Sequence, residues 1–144
     1  MTLIAITIVH VAVSLVALGA GVALLQGLRK GERRAEGLFL STTIATSLSG
    51  YLFPVTQLLP SHIVGAVSLA LLATAVATRE SNRRFFIVAS MSAFYLNLLV
   101  LFVQIFKRVE PLKSLEGPAQ LLLLTWFIIT TYQLTHQRKG LVTA

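Results

Sequence analysis

Five stretches of this chain, residues 3–28, 37–53, 61–78, 85–106 and 118–137, contain no Lys, Arg, Asp or Glu. Each is close to the roughly 20 residues that an α-helix needs to cross the hydrocarbon of a bilayer. Hydrocarbon offers the backbone no hydrogen-bond partners, so a crossing segment must be a helix or a strand of a closed barrel. The residue-by-residue alternation of a barrel strand is absent. The expectation is an all-α, integral membrane bundle of five transmembrane helices forming one domain, residues 1–144. Only 12% of the residues are charged, about half the share in soluble domains, which excludes a water-soluble globule. The absence of cysteine removes disulfides, thiolate catalysis, thiolate metal ligands and covalent haem attachment.

The net charge of +7 arises from 12 basic and 5 acidic residues, all outside the five stretches. With five crossings, Arg29, Lys30, Arg33, Arg34, Arg79, Arg83, Arg84, Arg138 and Lys139 fall on one side, and only Lys107, Arg108 and Lys113 on the other. Basic residues resist translocation, so the N-terminus is expected outside and the C-terminus in the cytoplasm. The basic groups sit at helix ends with no aromatic residues interleaved, which argues against nucleic acid as a partner. No basic segment precedes the first apolar run, so it reads as a retained helix and not a cleaved leader.

Connections of at most about a dozen residues make consecutive helices antiparallel neighbours. Pro54 is expected to end or kink the second helix, with Gly50 four residues earlier; Pro60 opens the third, with Ser61 as its N-cap. Gly117 and Pro118 similarly start the fifth. In the second helix Gly37, Ser41, Ala45 and Ser49 recur every four residues beside Thr42, Thr46 and Gly50. Small side chains allow close backbone approach, so this helix is expected to be the most enclosed.

Ionisable groups inside a membrane are the first functional candidates. There is no Asp, and all five Glu fall outside the apolar stretches and are read as loop residues. That leaves no carboxylate relay, no buried Schiff-base lysine and no Ser/His/Asp triad. His10 lies about 10 Å below the outer boundary by helical rise, with Ser14, Ala17 and Gly21 following on its face. On the fourth helix Ser90, Ala93, Asn97 and Gln104 form a stripe, and Asn97 lies about 13 Å from the outer end. His62, Gln104 and Gln120 arrive near the outer rim. The candidate ligand-binding site is therefore an outward-opening polar pocket with His10 and Asn97 at its floor and His62, Gln104 and Gln120 at its mouth. Interhelical hydrogen bonding explains the same residues without a ligand. His136 reads as interfacial, and no metal site is expected. A b-type haem held by His10 and His62 is disfavoured, because helix counting separates the imidazoles by roughly 8 Å along the membrane normal while axial ligands share a level.

The run from Ser49 through Gly50, Tyr51, Leu52, Phe53 and Pro54, the run from Leu59 through Pro60, Ser61, His62, Ile63, Val64 and Gly65, and the set Tyr95, Leu96, Asn97 and Gln104 resemble a family of small bacterial multi-pass membrane proteins. No activity is assigned to that family. The resemblance implies one bundle in the bacterial inner (plasma) membrane and carries no chemistry. The expected function is non-enzymatic: a small-ligand-binding or accessory subunit, in a membrane complex or homo-oligomer. The alternatives are a transporter or channel for a neutral solute, and a redox subunit binding haem b or quinone.

Overall fold

The computed structural model describes residues 2–53 and 60–142, the side chains of 138–142 excepted. It is helical throughout: α1 (Leu3–Lys30), α2 (Arg34–Gly50), α3 (Pro60–Thr78), α4 (Arg83–Arg108) and α5 (Glu116–Val142). A 3₁₀ segment, Glu110–Leu115, links α4 to α5 where the sequence suggested an irregular loop. No strand occurs among the described residues.

The helices overrun the charge-free stretches because a charged residue at the lipid boundary does not end a helix; a cap does. Gly31 ends α1 with φ 76°, a left-handed conformation that glycine adopts without a Cβ penalty, and the Glu32 N–H closes the turn on the Gly27 carbonyl at 2.8 Å. The Asn82 side chain accepts the Phe85 N–H at the start of α4. Two expectations about ends are corrected. The second helix runs three residues earlier than its charge-free stretch and stops at Gly50, the residue whose carbonyl the Pro54 ring would meet in a continuing helix. Ser61 lies inside α3 and is not its N-cap, because the helix already begins at Pro60. Pro54 and the connection through residue 59 lie outside the described residues.

Pairings along the chain fix the directions. Glu36 meets Arg79, Ser47 meets Ser68, and the Tyr51 hydroxyl meets the His62 carbonyl, so α2 and α3 run antiparallel. His10 near the start of α1 with Ser49 near the end of α2, the two helices being joined by a short connection, does the same for α1 and α2. Helix α4 packs against all four others, whereas α5 packs on α4 and the 3₁₀ segment.

The most enclosed helix is thus α4 and not α2, a third correction. Phe86, Ile87, Ser90, Met91, Ala93 and Phe94 are all buried. On α2 the residues that go inside are Glu36, Phe39, Leu40, Thr43 and Ser47, while Gly37, Ser41 and Ala45 are exposed. Bulk decides this. Lipid is as apolar as a side chain, so helices associate through shape fit, and rings fill an interior better than methyls do. Phe94 stands edge-to-face with Phe39 (centroids 6.1 Å) and Phe127 (5.4 Å), joining α2, α4 and α5. On α1, Gly21 makes room for the same ring, which any Cβ there would overlap. Outward-facing residues are apolar, among them Ile4, Ile8 and Leu15 on α1 and Leu121, Leu122 and Ile128 on α5.

Candidate functional site

The face of α1 that carries His10 turns toward protein: Ala17 and Gly21 on it are buried, and Ser14 and His10 are half-buried. His10 engages α2. Its Nδ1 lies 2.7 Å from the Ser49 hydroxyl oxygen, which is also 2.9 Å from the Thr46 carbonyl. The imidazole tautomer sets which of Nδ1 and the hydroxyl donates to the other, and Nε2 has no hydrogen-bond partner among the described residues. Gly50 passes beside the imidazole edge, where a Cβ would come within 3.7 Å of Cε1, and Phe53 stands perpendicular to the ring at 5.4 Å.

The other predicted site residues are placed as follows. Asn97, half-buried on α4, carries a buried Nδ2 donor without a partner; no hydrogen bond joins it to His10. His62 is buried, its carbonyl accepting the Tyr51 hydroxyl at 2.8 Å and its ring lying against the Tyr51 ring at 5.7 Å. His10 and His62 thus approach the end of α2 from α1 and α3, one against Phe53 and the other against Tyr51. Gln104 is exposed, and Gln120 donates to Glu116 within α5 at 3.2 Å; neither is hydrogen-bonded to the histidines. His136 is exposed and stacked on Tyr132 at 4.0 Å. Among the described residues no group of three His, Cys, Asp or Glu converges as a metal site.

A second polar centre, at the opposite end, escaped the sequence reading. Glu36 was expected in a loop; it occupies the first turn of α2 and is 1% exposed. Arg79 Nε lies 3.1 Å from Oε2 and Arg33 Nε 3.4 Å from the same oxygen, while Arg83 closes on Oε1 from α4. Arg33 also donates to Glu80 at 2.6 Å and to the Arg79 carbonyl at 3.3 Å. Three guanidinium groups thus converge on one buried carboxylate and compensate its charge. Arg83 lies over the Phe86 ring, 4.6 Å from its centroid, and its Nε and Nη1 are buried without hydrogen-bond partners. The available clue was local: an acid three residues after Arg33, opening a membrane helix beside two connections in which Arg and Lys outnumber Glu.

A lateral groove of about 360 Å³ between α4 and α5 is lined by Met91, Tyr95, Phe127, Thr131 and Tyr132, among others.

The chain is thus an all-helical protein in which α1, α3 and α4 are long and apolar enough to cross a membrane, as in a membrane protein. No protein-family model matches it, and no curated protein or solved structure is significantly similar to it.

Proposed function

We propose that this is a five-span integral protein of a bacterial inner membrane, with its N-terminus outside, that binds a small polar ligand in its outer half without enzymatic turnover, alone or as a subunit of a membrane complex. Arg33 with Glu80, and Glu36 with Arg79, join the first and third connections at one end of the molecule. An even number of crossings must then separate them, which supports α2 as a span although it has only 17 residues. Helix α5 packs on α4, Phe127 standing against both Phe94 and Tyr95, and the groove between them is lined from Leu124 to Thr135 on α5, which supports a fifth span. The bias of basic residues toward the Glu36 end supports a cytoplasmic location for it.

The observation that carries the ligand reading is polar capacity left unused in an apolar bundle: the half-buried His10, whose Nε2 has no hydrogen-bond partner among the described residues, and the buried Nδ2 donor of Asn97. Such groups are costly to keep in lipid unless something meets them. Native mass spectrometry of protein drawn gently from its own membrane tests this. The expected result is a retained small-molecule mass that His10→Ala and Asn97→Leu both lose; wild-type protein free of any adduct across several gentle extractions refutes it.

A transporter for a neutral solute is the second reading, favoured by the uncharged hydroxyl and amide groups that α2 and α4 hold inside the bundle. Solute flux in proteoliposomes that stops in Asn97→Leu would select it over simple binding.

A further inference from the structure

On α4, Arg83, Ser90 and Asn97 follow one another at intervals of seven, which puts them on one face. On α2, Thr43 stands seven residues beyond Glu36 on the face that meets Arg83. Among the described residues, every buried side-chain nitrogen or oxygen without a hydrogen-bond partner belongs to these two faces: Thr43 Oγ1, Arg83 Nε and Nη1, Ser90 Oγ and Asn97 Nδ2. Arg83 has the Phe86 ring beneath it. The hydroxyls and the carboxamide have nothing comparable.

The behaviour of the other hydroxyls sharpens the contrast. A Ser or Thr in a membrane helix ordinarily donates to the carbonyl four residues back, and Thr7, Ser14, Thr42, Thr46, Thr74 and Thr125 all do so here. Thr43 and Ser90, both 0% exposed, make no such bond. Both are fully buried without the local carbonyl bond that those other hydroxyls make, and elsewhere in the bundle Ser47 and Ser68 pair across helices at 3.4 Å.

We propose that Thr43, Ser90 and Asn97 are the protein anchors of ordered internal water within the bundle, between the Glu36 cluster and the outer half. Water is the ligand class that fits. It donates and accepts, as two hydroxyls and an amide require, and buried polar groups without protein partners are characteristically met by it. A cation would need a carboxylate here, and Glu36 is already saturated by three arginines. Asn97 is shared with the proposed ligand reading, whereas Thr43 and Ser90 are not, and the test below reads those two.

Radiolytic hydroxyl labelling of the full-length protein in nanodiscs, with rapid mixing into H₂¹⁸O, tests the proposal. Residues beside bound water are oxidised even when inaccessible to bulk solvent, and they take up the heavy isotope slowly. Met91, adjacent to Ser90 and 0% exposed, is the reporter; it also lines the α4–α5 groove, so only the part of its labelling that the double variant below removes counts. The expected result is labelling of Met91 with slow isotope exchange, lost in the Thr43→Val/Ser90→Ala double variant. A melting measurement on Thr43→Val, nearly isosteric, gives an independent sign: a water-anchored hydroxyl predicts a lowered melting temperature, a dry orphan a raised one. Absence of Met91 labelling above the dose background, or a raised melting temperature, overturns the proposal.

Discussion

Replacing Glu36 by Gln removes one negative charge from among three arginines and leaves the shape of the site intact. The Glu36 side chain is 1% exposed and that of Arg83 is 17% exposed, whereas those of Arg79 and Arg33 are 36% and 47% exposed. Breaking a buried pair by removing one partner costs about 3–5 kcal/mol, because the other charge is left desolvated. The two more exposed arginines can recover water, and exposed pairs are worth about 0–1 kcal/mol each. The loss should therefore lie near the lower bound, about 3 kcal/mol, and most of it should come from Arg83. Reversible unfolding in mixed detergent micelles measures it. The same logic makes a sharper statement: Glu36→Gln combined with Arg83→Met should lose less than Glu36→Gln alone, since no buried charge then stands uncompensated. A single-variant loss below about 1 kcal/mol, or a double variant that costs the sum of its parts, refutes the claim that this ion cluster holds α2, α3 and α4 together.

Gly21→Ala forces a methyl into the Phe94 ring and should destabilise by about 1–3 kcal/mol, whereas Gly37→Ala, with open space at its Cβ position, should be neutral or stabilising by up to about 1 kcal/mol; thermal unfolding of both variants checks the contrast. Ser49→Ala should cost only about 0.6 kcal/mol in stability, typical of one interhelical bond in a membrane, yet it should alter the ring-nitrogen chemical shifts of His10 by removing the hydrogen-bond partner of Nδ1, which ¹⁵N NMR reports.

Helix number, order and connectivity were legible because charge-free length is dictated by the solvent, and residues 3–28, 61–78 and 85–106 map onto α1, α3 and α4 with ends moved by no more than two residues. Which helix lies at the centre was not legible. The small-residue row from Gly37 through Ala45 has the spacing of a packing face, but spacing does not say whether a neighbour comes to it, and Phe39 and Leu40 on the other side of α2 took the interior. The orientation of the His10 face could be read from Ser14, Ala17 and Gly21; its partner could not, because Ser49 is one of many hydroxyls and only the α1–α2 register selects it. Glu36 was misread for a related reason. A residue just outside an apolar stretch looks solvent-facing until the arginines of a distant connection, forty-odd positions along, are folded onto it.

The functional reading depends most on five crossings with the Glu36 end in the cytoplasm. The chain has no cysteine, so single cysteines at Ser81, in the connection between α3 and α4, and at Lys113, in the 3₁₀ segment, can be probed with a membrane-impermeant maleimide in intact cells. The account predicts immediate labelling of Lys113→Cys, and labelling of Ser81→Cys only after the cells are opened. Labelling of Ser81→Cys in intact cells, or equal access to both positions, would contradict it.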